Sequence, residues 1–341
     1  MSKERRAIVT LVVAILVVGA TAFFIFPLLR THSTIAGAVS NAARKEKSIA
    51  VLPFENLSDN KDDAFFADGV QDDVLTKLAR ISELKVISHT SVMHYRGSED
   101  ARKVGRALGV LHLLDGTVRR YDGKVHVNAR LVNARTGTHV WAGEYDRDLN
   151  EVFAIEAEMA QSVASQLGAK LSAYETTAMQ ERPTKDLVAY DLYVHAAPLI
   201  EESLYYGLSS ETNLFKAVEL LKQAIARDPT FLLAYCQLAR AHDGIYWNAL
   251  DHTPGRLELA KSAVNSALQL NAGSGEAHFA SALHFYYGYL DYDRARAELA
   301  VALRTLPNNA RIFELNGYID RRQGLWDDAE HKLERAMELD P

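Results

Sequence analysis

Hydrophobic and polar positions along the chain change period several times, and each change marks an element. The first stretch has no period at all. Ala7 to Leu29 reads AIVTLVVAILVVGATAFFIFPLL, apolar or small throughout and free of charge. About twenty such residues are enough to cross the roughly 30 Å of bilayer hydrocarbon. The pattern therefore predicts a transmembrane helix over 7–29, behind a short basic tail at 1–6. Lys3, Arg5 and Arg6 before it and Arg30 after it fit a bilayer better than a buried core helix. A secretory signal is the rival reading, and Ala20-Thr21-Ala22 or Ala36-Gly37-Ala38 would permit cleavage. Its apolar region, however, runs to only about 7 to 15 residues. Residues 30–47 are small and polar without period and read as a linker.

From Ser48 the period becomes that of a folded domain. Ser48 to Phe54 is an apolar run of strand length closed by Pro53, and Asn56 to Asp63 has turn composition. Phe66, Val70, Val74 and Leu78 then recur at four-residue spacing with Leu75 beside them, one face of a helix. Gly69 inside that pattern costs about 1 kcal/mol relative to Ala and points to a close backbone approach. Leu84 to Ser88 predicts a short strand. A helix with Val104 and Leu108 inward follows, capped by Ser98 and ended by Gly109. Val110 to Arg120, the turn Asp122-Gly123, the alternating Val125, Val127, Ala129 and Leu131, and His139 to Tyr145 make a three-strand meander. A helix from Asn150 to Leu171 buries Val152, Ile155, Met159, Val163 and Leu167. The expected fold of 48–172 is an α+β domain, a mixed and mostly antiparallel sheet with packed helices.

Beyond Leu187 the chain repeats itself. AVELLKQAIARDP, AKSAVNSALQLNA, ARAELAVALRTLP and AEHKLERAMELDP end at Pro229, Ala272, Pro307 and Pro341, at spacings close to 34 residues once an insertion around Tyr246 to Gly255 is allowed for. Ala217, Ala260, Ala295 and Ala329, then Ala224, Ala267, Ala302 and Ala336, recur along each second helix, where small side chains let helices approach. Leu238-Ala239, Ser281-Ala282 and Asn316-Gly317 mark the first helices, with Tyr235, His278 and Phe313 three positions earlier. Residues 187–341 predict an all-α solenoid of about four helical hairpins. The last repeat has no polar capping helix after it, so either the array is cut short or that repeat meets a partner.

Composition narrows the chemistry. With 48% hydrophobic residues in 341, two cores of ordinary size are available. A net charge of −6 gives no basic footprint for nucleic acid. One cysteine, Cys236, can form neither an intramolecular disulfide nor a thiolate cluster. No phosphate loop, dinucleotide fingerprint or nucleophile elbow is present, and His89, His94 and the acidic loop Asp59, Asp62, Asp63 lack ligand spacing. The expectation is no enzyme, no cofactor and no metal.

SIAVLPFENLSDN with FFADGVQDDVLTKLAR, followed by RALGVLHLLDGTVRRYDGKVHVNARLVNARTGTHVWAGEYDRDL, closely resembles the TolB-like (TolB amino-terminal-like) domain of bacterial signalling proteins, over about Lys47 to Leu171. The hairpins resemble the tetratricopeptide family. The first resemblance implies a sensory or protein-interaction module that often sits behind cyclase, winged-helix or kinase modules. If Met1 is the true start, no such output domain is attached. The second implies a groove lined by the first helices, here Arg240, Asp243, Phe279, Leu283, Tyr286, Tyr287, Glu314, Tyr318, Arg321 and Arg322, suited to a peptide with aromatic or apolar anchors and an acidic group. The expected function is a non-catalytic, membrane-anchored scaffold or sensor that binds proteins or peptides. Its alternative is the sensor portion of a signalling protein whose output module lies elsewhere. Basic residues nearly balance across the span, and long domains translocate largely regardless of charge. The soluble part is therefore expected on the periplasmic side of a bacterial inner membrane. Self-association is left open.

Overall fold

The computed structural model describes residues 47–97, 100–205 and 210–341. The basic tail, the expected span at 7–29, most of the linker and Ser98 lie outside the described residues. Among the described residues no helix is long and apolar enough to cross a membrane.

β1 (Ser48–Val51) is buried along its whole length, central in the sheet and covered by helices. It pairs in parallel with β3 (Lys85–Val86) and with β4 (His112–Tyr121), Ile49 facing Val86 on one side and His112 on the other. A strand covered on both faces reads as a continuous apolar run, which is why SIAV does not alternate. β2 (Glu55–Asn56) also runs parallel to β4. β5 (Lys124–Asn133) and β6 (His139–Asp148) complete the sheet antiparallel, in the order β3-β1-β4-β5-β6. Asp122 and Gly123 turn the β4-β5 hairpin with φ of 45° and 74°. Val125, Val127, Ala129 and Leu131 face inward, each at most 3% exposed.

α1 (Asp63–Ala79) buries Phe66, Val70, Val74, Leu75 and Leu78, and packs on α4 (Val152–Gln166). Between them come the short α2 (His89–Val92) and α3 (Ala101–Ala107). α3 is capped by Asp100, whose side chain accepts from the Arg102 and Lys103 amides, the cap position the sequence reading gave to Ser98. α4 stops about a turn before the expected Leu171. Gly168 adopts φ of 64°, a left-handed conformation that ends a helix and that other residues reach only at a cost. A further helix, α5 (Ala173–Met179), follows behind a capping box formed by Ser172 and Glu175.

The remainder is four helical hairpins: α6 (Leu187–Tyr205) with α7 (Ser210–Arg227), α8 (Leu232–Trp247) with α9 (Pro254–Leu270), α10 (Gly275–His284, extended by a π turn over Phe285–Tyr289) with α11 (Tyr292–Ala302), and α12 (Ala310–Arg322) with α13 (Trp326–Leu339). The recurring alanines are all buried, as helices in close contact require. The segments expected at 48–172 and 187–341 share one apolar core. It runs without a break from Ile49, Phe66 and Val74 through Tyr190 and Val194 to Leu214, Phe231 and Ile245.

Candidate functional site

Two polar features stand out against this core: a buried cluster at the seam between sheet domain and array, and a rim of aromatic and arginine side chains on the array.

The seam is built by α1, α4 and α6. At Gly69 on α1 the side chains of α6 press in, for a Cβ there would lie 2.7 Å from Val194 Cγ1 and 2.9 Å from Tyr190 Oη. The close approach that Gly69 implied is therefore made by the array. Tyr190, fully buried, donates from its hydroxyl to Asp73 Oδ2 at 2.6 Å. Glu156 of α4 is also fully buried and abuts the same carboxyl. Burial raises Asp73 from 3.8 to about 6, against the lowering effect of the Tyr190 hydrogen bond. Burial and the Asp73 charge together hold Glu156 well above the usual carboxylate range. Both Glu156 oxygens are buried without a hydrogen-bond partner, surroundings that favour the neutral carboxyl over the charged one. Lys77 spends its ammonium on the carbonyls of Met179 and Glu181 at 3.2 and 2.9 Å, tying down the segment that leads into the array. Outside the cluster Arg120 of β4 reaches Asp191 of α6 at 3.1 Å, with its guanidinium 4.3 Å above the Phe66 ring. Sequence reasoning missed this cluster. The available signal was an acid, Glu156, inside an otherwise apolar inward stripe.

The ten residues expected in the groove divide into two sets of five. Arg240 is half-buried, 2.8 Å from Glu201 of α6 and 3.0 Å from Gln237. Asp243 lies inside the array, 1% exposed, with Oδ1 2.8 Å from His284 Nδ1, so it joins α8 to α10. Burial raises its pKa. Phe279, Leu283 and Tyr286 are at most 9% exposed and pack with Leu299, Ile312, Leu315 and Ile319 between repeats. These five cement the array, because helices that stack at close spacing bury the positions facing the next hairpin.

The other five residues are more accessible. The π turn adds a residue to its helical turn, so the adjacent Tyr286 and Tyr287 both face Trp247, with ring centroids 6.4 and 5.0 Å away. Trp247, absent from the expected set, is 43% exposed. Arg322 donates from Nε to Tyr286 Oη at 2.9 Å, and Arg321 lies 5.3 Å over the Tyr318 ring. Both arginines are exposed. Tyr318 donates to Glu314 Oε1 at 2.6 Å, and Arg311 reaches the other oxygen at 2.9 Å. Trp247, Tyr287, Tyr318, Arg321 and Arg322 therefore form a rim at the C-terminal ends of α8, α10 and α12. It offers flat apolar contact beside guanidinium donors that match a carboxylate.

The remaining candidates assemble no reactive centre among the described residues. His89 lies 3.3 Å from Asp72, and no group of His, Cys, Asp and Glu side chains there could hold a metal ion. Asp63 faces Arg120 at 3.5 Å. Cys236 is buried, which pushes its thiol pKa up and away from thiolate chemistry.

No family model matches the chain. Over 240 residues, 69% of this chain, it is 35% identical to a protein of Rhizobium meliloti (strain 1021) named "Putative adenylate cyclase 3". The chain spans only 40% of that relative's length. Among solved structures it is similar to TTC0263, a thermophilic TPR protein of Thermus thermophilus, at 23% identity over 55% of this chain and 86% of that one, with a TM-score of 0.37. It is also similar to lipoprotein GNA1162 of Neisseria meningitidis, at 21% identity over 37% of this chain and 99% of that one, with a TM-score of 0.28. For TolB of Acinetobacter baumannii the values are 15% identity, 35% of this chain, 28% of that one and a TM-score of 0.27.

Proposed function

We propose that the protein is a non-catalytic scaffold, anchored by residues 7–29 in a bacterial inner membrane with its folded part on the periplasmic side, and that it captures another protein through the rim of its helical array. The observation that carries this reading is the exposed Trp247, Arg321 and Arg322 with the half-buried Tyr287 and Tyr318 beside them. Aromatic and arginine side chains are the types that dominate binding energy in protein interfaces. They belong to α8, α10 and α12, which are joined by apolar clusters within the array. A partner segment with an aromatic or aliphatic anchor and a nearby carboxylate fits them.

The test is photo-crosslinking in cells of the full chain carrying p-benzoylphenylalanine in place of Tyr287. The reading expects a discrete adduct that disappears with Arg321→Glu/Arg322→Glu and is absent when the probe replaces exposed Gln223 on α7. An adduct that survives charge reversal, or one equally strong from Gln223, overturns it.

A second reading is favoured by the resemblance to the Rhizobium meliloti protein, whose name refers to an adenylate cyclase and of which this chain matches two fifths. On that reading the chain is the sensor portion of a signalling protein, and its output module lies in another segment or another chain.

A further inference from the structure

The array is fastened to the sheet domain in two physically different ways. α6 to α8 share that domain's apolar core, in which Tyr190, Val194, Leu214, Phe231 and Ile245 are continuous with Phe66 and Val74. The later helices do not. Their apolar clusters close within the array, one around Phe279, Ile312 and Ile319 and one around Ala239, Ala263 and Ala277. Across their contact with the sheet domain run hydrogen bonds and an ion pair. Arg80, just beyond α1, reaches Glu276 at the start of α10 at 2.6 Å. Asn308 donates from Nδ2 to the carbonyls of Ala79 and Ile81, both at 3.0 Å. Arg311 reaches Thr90 Oγ1 at 3.4 Å. The Ser88 amide donates to the carbonyl of Leu339 at 2.7 Å, and Ser91 Oγ to Asp340 Oδ1 at 2.5 Å.

These two attachments resist opening differently. Separating an apolar core costs free energy in proportion to the area exposed, whereas a hydrogen bond broken as a polar contact opens is largely replaced by one to water. The polar contact is also incompletely satisfied, since Asn308 Oδ1 is buried with no hydrogen-bond partner. The apolar cluster that joins α8 and α9 to α10 is made mostly of alanine, and the Asp243–His284 bond with Trp247 against Tyr286 and Tyr287 completes the joint and serves as its pivot. We propose that α10 to α13 form an arm that swings on the α8-α9 hairpin and is held shut against the sheet domain by a polar latch. Opening frees the Ser88–Ser91 turn and the C-terminal end of α1 while leaving α6 in place.

Pulsed electron resonance on the full chain in detergent, in a Cys236→Ser background, tests this. One pair of spin labels at Arg106 and Glu330 spans sheet domain and arm, and a second at Arg106 and Gln223 spans sheet domain and the cored first hairpin; all three positions are exposed. The latch variant Ser91→Ala/Glu276→Ala/Asn308→Ala should add a population of longer distances to the first pair and leave the second unchanged. A first pair that keeps its wild-type distribution, or two pairs that broaden together, overturns the proposal. Should the variant not fold, hydrogen exchange of the wild-type chain decides. The Ser88 amide, bonded to Leu339 on the arm, should exchange at least about tenfold faster than the neighbouring Ile87 amide, bonded to Ile49 within the sheet. Equal protection of the two amides overturns it.

Discussion

Replacing Glu156 with Gln should make this protein more stable at neutral pH, although the residue is fully buried. Burial and the adjoining Asp73 charge raise the Glu156 pKa well above 4.5. A group whose folded pKa is raised holds its proton more tightly in the folded chain than in the unfolded one. Its contribution is therefore complete at pH values below 4.5 and is lost as pH climbs through the folded value. Gln keeps the shape of the neutral side chain and needs no proton. Under acid conditions the two proteins should differ by less than about 1.5 kcal/mol, as expected of a volume-conserving change. Above the ordinary carboxylate range the wild type loses ground by up to about 1.4 kcal/mol per pH unit, until Glu156 ionises in the folded state. Asp73, raised to about 6, titrates in the same direction and is present in both proteins. The assay is urea unfolding of the full chain, followed by circular dichroism from about pH 5 to pH 8. The competing picture, an ionised Glu156 paired with Lys77, carries the opposite sign, with Gln most destabilising near neutrality. A stability gap that is flat with pH, or that grows against the variant, refutes the protonated-carboxyl assignment.

Gly69→Ala would gain up to about 1 kcal/mol on an unobstructed helix face. Here the new methyl meets Val194 and Tyr190, so a loss of about 1 to 3 kcal/mol in thermal or urea unfolding is expected, and a net gain would mean that α6 does not press on α1. For topology, a cysteine in place of exposed Arg106, in a Cys236→Ser background, should react with a membrane-impermeant thiol reagent on intact cells with a permeable outer membrane. Labelling only after the inner membrane is opened would put the folded part in the cytoplasm and turn the search for partners there.

Local chemistry was written plainly in the sequence. The Asp122-Gly123 turn, the inward alternation from Val125 to Leu131, the α1 stripe and the buried alanines of each hairpin all follow from rules that act within a few residues, and the structure contains them. α5 was overlooked although its capping box, Ser172 with Glu175, is such a local signal. Which groove position faces solvent was not legible, because that depends on how adjacent hairpins stack. Asp243 and Tyr286 were drawn inside, and Trp247, in what read as an insertion, came to the surface. The register of β1 between β3 and β4 likewise needed partners distant in the chain. By itself, then, the sequence determined the two kinds of architecture and their elements, since periodicity and turn chemistry are local. Only the tertiary structure decided that the two share one core, that Asp73, Glu156 and Tyr190 meet there, and that the far hairpins are held by polar contacts. Those outcomes depend on which surfaces meet across more than a hundred residues of chain, and no local pattern carries that information.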